Sequence, residues 1–498
     1  MNHPKFASRY VSVFTLIVTA CLLPLLMPVT HAQLLGERPA ASHAGNEPYI
    51  LVGGQNGSWF EGGQAPRLYK ISLPSYSLTR LTPVPGQGAV WTGNWNGSQW
   101  LISGWGTDPG INGSNPYIYL YDGQRQIIAR SLDRFKDQSS WHGGDIFAAS
   151  YNGSEWLLSG LGSDSLAPYL PRRNHMALAL FDGYNFTDIS PNLPSRIRPD
   201  QWDAILYANA WNGHYWLIGG GWAANIIQSF RLFRYDGSNF TDLSPQLDNL
   251  VPNGAVQAIQ WNGDYWLVGG VGFLVKYDGK EFTVLTAELN NVIGSRYAVH
   301  MCCNAVNALA WNGAEWMIGG GTPIGITYDL QPHTWVVTYN GHEFTDISSL
   351  LPSEIAHPTK NSSILSVTYA DESWFLGGHA NGHGILLRYT TSTITDLSYL
   401  IKDDMSTVNW VGGWKGANCK PNYCATANYP KFLFGISIAI IVVVVAFLTV
   451  RRWIFSHRPR ILHHRRDKSR LKDRSSQRYR SKRSRIKRRR QRGGVTAG

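Results

Sequence analysis

Short stretches in which apolar and polar residues alternate recur along the chain, and each ends in an aromatic residue. Residues 255–261, Ala-Val-Gln-Ala-Ile-Gln-Trp, show the pattern. A period of two is typical of a β-strand whose two faces pack differently. In most cases an Asn-Gly dipeptide follows, as at Asn262-Gly263, and then a second apolar stretch that carries a Trp and ends in small residues. Since Asn and Gly both tolerate positive φ, the pattern predicts two antiparallel strands joined by a tight turn.

Two further strands complete a repeating unit. The third ends in Tyr-Asp-Gly or a close variant, and the fourth begins with an aromatic residue that is usually followed by Thr-Asp-(Leu/Ile)-Ser. Spacing is fixed within units and varies from 50 to 60 residues between them, which is typical of the four-stranded blades of a β-propeller. The aromatic residue that ends the first strand stands nine positions before a Gly in Trp95/Gly104, Tyr151/Gly160, Trp211/Gly220, Trp261/Gly270, Trp311/Gly320 and Tyr369/Gly378.

Six units are complete, and a seventh is divided between the two ends of the repeat region. The complete units cover about residues 88–135, 145–190, 204–245, 255–286, 305–348 and 364–398. Residues 48–82 supply three strands of another unit, and residues 407–411 supply its missing first strand. Such sharing closes a ring and removes exposed sheet edges. We therefore predict an all-β fold, a seven-bladed β-propeller of four-stranded blades over residues 48–416, with closure between its N- and C-terminal strands.

The repeat resembles that of the kelch-type, galactose-oxidase-like β-propellers, in which a strand ending in a double Gly precedes a strand with a Tyr. This chain uses Phe where that family prefers Trp, and it adds the Asn-Gly turn. No residues align with the copper ligands of the oxidase branch, so no cofactor is predicted. The resemblance implies a fold and no particular activity. The matching residues are Gly219-Gly220, Gly269-Gly270, Gly319-Gly320, Gly377-Gly378, Tyr235, Tyr277 and Tyr339.

The connections differ between the two ends of the predicted blades. Turns between the first and second strands, and between the third and fourth, are tight and alike. The other connections are long and unlike one another, so we expect one face to be scaffold and the other to meet a ligand. Aromatic rings that stack, together with Arg and His, suit a glycan or a protein surface. The candidate contact residues on that face are Trp105, Trp141, His142, Arg172, His175, Arg196, Trp202, Trp222, Arg296, Tyr297, His300 and His379.

Charge is distributed unevenly along the chain. The 498 residues carry a formal net charge of +12, but residues 451–498 hold 20 Lys and Arg against two Asp. The remaining residues are therefore mildly acidic. This balance does not favour nucleic-acid binding by the predicted propeller.

The N-terminal residues have the pattern of a secretory signal. Lys5 and Arg9 precede an apolar run, and Thr30-His31-Ala32 follow it. We predict a signal peptide over residues 1–32, cleaved after Ala32, and a linker over residues 33–47. A lipoprotein box over residues 18–21 is the alternative, although the apolar run continues past Cys21.

Few cysteines remain after removal of the predicted signal. Cys419 and Cys424, in the juxtamembrane segment 417–431, form a disulfide in the most direct interpretation, which an extracytoplasmic compartment would permit. The adjacent Cys302 and Cys303 are a vicinal disulfide, a metal pair, or reduced or separately paired thiols. Because the chain contains neither a CxxC pair nor HExxH, no metal site is predicted.

One stretch near the C-terminus is apolar enough to cross a membrane. Residues 432–450 carry no charge, and Arg451-Arg452 follow directly. The length fits one transmembrane helix, and the positive-inside rule places the propeller outside the cell membrane and the tail, residues 451–498, in the cytoplasm. We expect this basic tail to be disordered. It is a topology anchor, binds anionic lipid or nucleic acid, or belongs to a sorting signal that is removed with the helix.

Three functions are consistent with this organisation. We favour a single-pass, membrane-anchored recognition module that is not an enzyme and binds an extracytoplasmic protein or glycan. The second is an enzyme acting on a glycan or envelope polymer at the central channel, which would need converging acidic and His residues; Asp108, Asp145, Asp164, Asp200, Asp203, His175 and His300 are available. The third is a structural surface protein. Export would also allow glycosylation at Asn56, Asn96, Asn112, Asn152, Asn185, Asn239 and Asn361.

Overall fold

The structure, a computed structural model, describes residues 47–57, 65–81, 86–106, 115–124, 126–129, 144–163, 174–194, 204–222, 231–251, 254–294, 299, 304–323, 334–358 and 361–414. These residues are mostly β-structure arranged in four-stranded antiparallel sheets. The predicted signal peptide, juxtamembrane segment, transmembrane segment and tail lie outside the described residues.

The strands of each sheet follow one another along the chain. The first three are β1 (Tyr49–Asn56), β2 (Ala65–Ser72) and β3 (Leu78–Leu81). Three complete sheets follow, made of β4 (Gly88–Trp95), β5 (Trp100–Gly106), β6 (Asn115–Tyr121) and β7 (Gln126–Ala129), then β8 (Gly144–Tyr151), β9 (Trp156–Ser163), β10 (Asn174–Phe181) and β11 (Phe186–Asp188), then β12 (Ala204–Trp211), β13 (Trp216–Trp222), β14 (Arg231–Tyr235) and β15 (Phe240–Asp242).

The later sheets repeat the same order. They comprise β16 (Val256–Trp261), β17 (Trp266–Gly270), β18 (Phe273–Tyr277) and β19 (Phe282–Val284), then β20 (Ala305–Trp311), β21 (Trp316–Gly321), β22 (Trp335–Tyr339) and β23 (Phe344–Asp346), then β24 (Ser362–Ala370), β25 (Ser373–Ala380), β26 (His383–Thr390) and β27 (Thr393–Asp396). A single pairing of Gly321 with Ser363 joins the last two into one eight-stranded sheet.

The two ends of the repeat region share a sheet. Strand β28 (Thr407–Trp414) pairs antiparallel with β1, with Val411 opposite Val52 and Trp410 opposite Gly53. This confirms the pairing predicted between residues 407–411 and 50–54. Asp404, just before β28, accepts a hydrogen bond from the Tyr69 hydroxyl. It also forms an ion pair with Arg67, whose Nε lies 2.8 Å from Asp404 Oδ1.

The first strands of successive sheets contact one another. Contacts run from β4 to β8, β12, β16, β20, β24 and β28 in turn, and β28 also contacts β4. Side chains between the sheets form the core. Trp266 and Trp316 are fully buried, and their Nε1 atoms donate hydrogen bonds to the hydroxyls of Tyr215 (3.2 Å) and Tyr265 (3.0 Å) in the preceding sheets.

The Asn-Gly dipeptides form the turns between first and second strands. Asn262 Oδ1 accepts the backbone N–H groups of Asp264 (2.9 Å) and Tyr265 (2.8 Å), and Gly263 has φ +109°. Of the two residues that tolerate positive φ, only the Gly adopts it here, and the Asn acts through its side chain. The same arrangement recurs at Asn96, Asn152, Asn212 and Asn312.

The turns between third and fourth strands are also closed by their own side chains. The Tyr277 hydroxyl donates to the carbonyl of Gly279 (2.9 Å), and Asp278 Oδ1 accepts the N–H groups of Lys280 and Glu281, both at 2.8 Å. The Tyr277 ring stacks on Phe282 with centroids 4.4 Å apart. Tyr, Asp, Gly and the following Phe thus form one hydrogen-bonded and stacked corner, which explains why they recur together.

Short helices follow several fourth strands, and the sequence analysis did not predict them. They are α1 (Ser244–Asp248), α2 (Thr286–Ile293) and α3 (Ser353–Ala356), with 3-10 turns at Ser190–Asn192, Ser348–Leu350 and Ser398–Leu400. The Ser of the Asp-(Leu/Ile)-Ser motif opens several of them. Ser348 donates its N–H to Asp346 Oδ1 (2.8 Å), and its Oγ accepts the N–H of Val336 (3.0 Å) on the third strand.

Candidate functional site

Each of the seven first strands contains a β-bulge. In β12, Leu206 pairs with Gly220 and Ala208 pairs with Gly219, so Tyr207 is an extra residue. A bulge leaves its extra residue outside the ladder and redirects the side chain. We call the seven extra residues the bulge ring, since the strands that carry them contact one another in order: Trp91, Phe147, Tyr207, Gln257, Asn307, Leu365 and Asn409.

The double glycines make the bulges and the close packing of the sheets possible. A Cβ on Gly220 would overlap the carbonyl oxygen of Ile205, in the bulged strand of the same sheet. A Cβ on Gly219 would overlap the side chain of Val256, in the first strand of the next sheet. The first Gly therefore sets the distance between sheets, and the second accommodates the bulge. This geometry gives a physical reason for the Gly-Gly motif.

The bulge ring lies toward one end of the sheets, which we call the ring end. Gln257 is the second residue of β16, whereas the Asn262 turn follows the last residue of that strand. The opposite end, with both sets of short turns, we call the turn end. The interpretation that the second-to-third strand connections of the ring end are all long is wrong for two sheets. There Val271-Gly272 and Asn381-Gly382 alone join the strands.

Three consecutive members of the bulge ring form an aromatic arc. The ring centroids of Trp91 and Phe147 are 5.1 Å apart, and those of Phe147 and Tyr207 are 5.4 Å apart. Tyr207 is 6% exposed, and its hydroxyl has no hydrogen-bond partner among the described residues. Burial raises the pKa of Tyr207 above its usual range, so the hydroxyl stays protonated.

Carboxamides occupy much of the other side of the bulge ring. Asn307 Nδ2 donates to the carbonyl of Thr322 (2.9 Å) and to Ser363 Oγ (2.6 Å), and Asn409 Nδ2 donates to the carbonyl of Val90 (3.0 Å). Ser363 and Val90 lie on the first strand of the next sheet. In both residues the Oδ1 atom is buried without a partner in the part of the chain that the structure describes. The amino groups thus donate to protein acceptors, and the oxygens remain free to accept a hydrogen bond from a ligand.

Asp145 lies two residues before Phe147, at the start of β8. It is 4% exposed, and burial raises its pKa to about 7. A carboxyl with this pKa exchanges a proton near neutrality, which is the property of a general acid or base. Asp145 belongs to the acidic set that the enzyme interpretation requires.

Trp105 and His379 are predicted contact residues that occupy equivalent places: Trp105 directly follows Gly104, and His379 directly follows Gly378. Trp105 pairs with Ala89 and His379 with Ser363, so both lie at the ring end. Both are partly buried. Burial lowers the pKa of His379 to about 4, so the imidazole is neutral at neutral pH.

The other predicted contact residues are not brought into one cluster by the described structure. His175 is buried on β10, opposite Gly162, and the backbone of Trp222 ends β13 opposite Ala204. Together with Trp105 and His379 they lie on four different sheets. The remaining predictions fall outside the described residues: Trp141, His142, Arg172, Arg196, Trp202, Arg296, Tyr297, His300, Cys419, Cys424 and Asn112.

The described glycosylation candidates differ in environment. Asn185 and Asn239 are exposed in turns between third and fourth strands, whereas Asn56 and Asn361 are partly buried. Glycosylation remains a prediction. The Oδ1 atoms of Asn96 and Asn152 accept backbone N–H groups within their turns.

Sequence analysis did not identify the bulge ring. In six sheets its member stands four residues before the aromatic residue that ends the first strand, as Tyr207 does before Trp211. The offset is constant, but the residue type changes from sheet to sheet. No recurring residue therefore marked these positions.

The described residues contain neither a metal-binding cluster nor a membrane-spanning helix. No group of three or more His, Cys, Asp or Glu there could hold a metal ion. No helix within the described ranges is long and apolar enough to span a membrane, and the predicted segment 432–450 lies outside those ranges.

Comparison with known proteins adds structural neighbours at low similarity. No protein-family model and no curated protein matches the sequence. The extracellular domain of a hybrid two-component system from B. thetaiotaomicron is 11% identical, with a TM-score of 0.39 over 70% of this chain and 45% of that one. An acylaminoacyl peptidase from Pyrococcus horikoshii is 9% identical, with a TM-score of 0.40 over 70% of this chain and 52% of that one. This chain therefore spans about half the length of these two proteins.

The third structural neighbour is an isolated β-propeller domain. The β-propeller domain of the Trilobed protease from Pyrococcus furiosus is 9% identical, with a TM-score of 0.35 over 63% of this chain and 84% of that one. Similarity at this level does not transfer an activity.

Proposed function

We propose that the seven four-stranded sheets are the blades of one closed, kelch-type β-propeller that acts as a recognition module. The β28 to β1 pairing and the contacts from β4 round to β28 and back support a closed circle of seven. The double glycines of five sheets, with Tyr121, Tyr235, Tyr277, Tyr339 and Tyr389 at or next to the end of third strands, support the kelch-type assignment. The module binds an extracytoplasmic glycan or protein through its ring end.

The buried polar atoms of the bulge ring carry this proposal. At the turn end, side chains such as Asn262 and Asp278 satisfy the turn backbone within a few residues. At the ring end, Tyr207, Asn307 and Asn409 hold buried polar atoms that no described residue satisfies. Buried polar groups are almost always paired in folded proteins, and leaving one unpaired costs about 1–3 kcal/mol. Retaining three such atoms in one ring favours a surface that meets a ligand.

A binding experiment with matched variants tests the recognition role. The purified full-length chain is applied to a glycan array, and chemical crosslinking on intact cells captures protein partners. Trp105→Ala at the ring end is expected to weaken binding, whereas Asn312→Ala at the turn end leaves it unchanged. Equal loss with both variants, or no ligand for the unchanged chain, would argue against recognition through the ring end.

We also propose that the chain is anchored in the cell membrane with the propeller outside. The apolar residues 432–450, the arginines that follow, and the signal pattern of residues 1–32 support this topology. Protease added to intact cells should digest or shave the propeller and spare an epitope placed after residue 451. Protection of the propeller and loss of the epitope would reverse the assignment.

A further inference from the structure

We infer that the bulge ring is a binding site for a single saccharide unit, an inference that rests on the proposed recognition role and specifies its ligand. Among the bulge ring residues, Tyr207, Asn307 and Asn409 are each at least nine-tenths buried and each retain a polar atom without a partner among the described residues. These atoms belong to equivalent bulges on strands that contact one another round the sheets. A ligand placed among them would complete their hydrogen bonding.

The two arcs of the bulge ring are chemically different. Trp91, Phe147 and Tyr207 present adjacent aromatic rings, with centroids 5.1 and 5.4 Å apart. In the other arc, Asn307 of β20 and Asn409 of β28 contribute acceptor oxygens. A sugar ring has apolar C–H faces and a periphery of hydroxyl groups. It can therefore pack against the aromatic arc while its hydroxyls donate to the carboxamide oxygens, which matches the usual composition of ligand sites, an apolar lining with a few placed polar groups.

A nearby buried Asn shows what a purely structural carboxamide looks like in this fold. Asn209, two residues after Tyr207, uses both ends of its side chain. Its Oδ1 accepts a hydrogen bond from the Ser150 hydroxyl, and its Nδ2 donates to Ser159 Oγ at 2.7 Å. Asn307 and Asn409 are buried to a similar degree, at 4% and 7% exposure, yet each uses only its amino group. Anchoring the amino group fixes the direction of the unused oxygen.

Other ligand classes fit the bulge ring less well. An apolar ligand would leave the Asn307 and Asn409 oxygens unpaired, which costs free energy. A bare metal cation would need several converging oxygens, and the aromatic arc provides only the Tyr207 hydroxyl. A hydroxyl-rich ring satisfies both arcs together.

The Tyr207 hydroxyl provides the sharpest test. Tyr207→Phe removes only an oxygen that bonds no described residue, so the folded protein should keep or gain thermal stability. Loss of one hydrogen bond to the ligand should weaken saccharide affinity about five- to tenfold. Tyr235→Phe is the matched control: its hydroxyl donates to the Gly237 carbonyl at 2.9 Å at the turn end. That variant should lose some stability and keep its affinity.

The experiment uses the full-length chain with D-glucose, D-galactose and N-acetyl-D-glucosamine as probes, followed by tryptophan fluorescence and saturation-transfer NMR. Trp91→Leu, which removes stacking surface, should reduce affinity at least as much as Tyr207→Phe. If the unchanged chain binds a probe and neither variant weakens it, the bulge ring is not the site, although recognition elsewhere at the ring end stands. If no probe or array glycan binds, the saccharide inference fails, and crosslinked protein partners decide the proposed function separately.

Discussion

The pKa of Asp145, at the ring end of the sheets, moves in the opposite direction from the pKa values of two aspartates at the turn end. At the turn end, backbone N–H groups two and three residues further on hold the pKa values of Asp236 and Asp278 below their usual range. At the ring end, burial raises the pKa of Asp145 to about 7. The aspartates of these turns are therefore satisfied locally, within one turn. The ring end places polar groups where only tertiary neighbours or a ligand can satisfy them.

This contrast explains why one end repeats in sequence and the other does not. A turn that closes on its own residues needs the same residues in every sheet. A bulge residue lies outside its own ladder, so its type can differ from sheet to sheet without changing the strand pairing. Variation at a fixed structural position is what a ligand surface requires.

The largest expected effect comes from adding a methyl group at the ring end. Gly220→Ala would place its Cβ onto the Ile205 carbonyl oxygen, with Leu206 Cα only 2.8 Å away. Backbone atoms cannot move aside cheaply, so we expect a loss of about 3–5 kcal/mol in the free energy of unfolding, measured by denaturant titration.

Gly213→Ala is the matched substitution at the turn end. Gly213 has φ +97°, and its Cβ would meet nothing within 4 Å. Only backbone strain opposes Ala there, at about 1 kcal/mol. Equal losses for the two variants would contradict the idea that the ring end is packed and the turn end open.

The next largest effect depends on pH and on Asp145. Its folded pKa of about 7 lies above the unfolded value of about 3.9. As the pH rises between these values, the unfolded chain gives up the proton first, so Asp145 progressively destabilises the fold. Asp145→Asn cannot ionise, and it should therefore be more stable than the parent by about 2–4 kcal/mol at pH 8, with the gain absent near pH 4.

Asp236→Asn, at the turn end, should change stability in the opposite direction from Asp145→Asn. The folded pKa of Asp236 is lowered, so its ionised form stabilises the fold above the unfolded pKa, and that contribution disappears as the pH falls through the folded pKa. The variant should lose stability at neutral pH and match the parent in strong acid. Thermal melts across pH for both variants check the pair, and a shared sign would contradict the assignment.

At the ring end, burial and pairing act in opposite directions on the pKa of Asp404. Burial acts to raise its pKa, but hydrogen bonds from Tyr69 and Arg67 and the charges of Arg67 and Arg80 outweigh it, so the net direction is downward. Asp404→Ala should cost about 1–2 kcal/mol at pH 7, a modest figure because the side chain is 31% exposed. The loss should disappear as the pH falls through the lowered pKa of Asp404.

A control for this prediction is Arg80→Ala. The Arg80 side chain is 56% exposed, and its Nη1 lies 3.5 Å from Asp404 Oδ2, so its removal should change stability little. If the two substitutions cost the same amount of stability, the attachment of Asp404 to β2 depends on surface charge rather than on the Arg67 and Tyr69 contacts.

The sheet pattern could be predicted from the sequence because the spacing of residues within each repeat is constant. The unit at residues 48–82 has no first strand before it, and this absence was enough to predict that residues 407–411 supply it by pairing with residues 50–54, as β28 and β1 do. The turns were predicted, although Asn262 acts by accepting N–H groups rather than by positive φ. Hydrogen bonds within a few residues leave a repeated pattern in sequence.

The candidate site could not be predicted in the same way. Tyr207 and Asn409 occupy equivalent positions only because a bulge in each strand is accommodated by a Gly on its neighbour. That condition is not visible in the residue itself. Predictions based on residue type found Trp105 and His379, which lie at the ring end, but not the ring beside them.

The smallest expected effect tests whether the turn end is as self-contained as the comparison requires. Asn262→Ala removes the acceptor of the exposed Asp264 N–H group and of the partly buried Tyr265 N–H group, so the loss should be about 1 kcal/mol. Because Asn212 and Asn312 close the neighbouring turns in the same way, the same substitution at either should cost a similar amount, and double variants should be additive. Denaturant titration of the three single and two double variants measures this. Strong coupling between the turns would mean that their closure depends on the Trp–Tyr hydrogen bonds between sheets rather than on each turn's own residues.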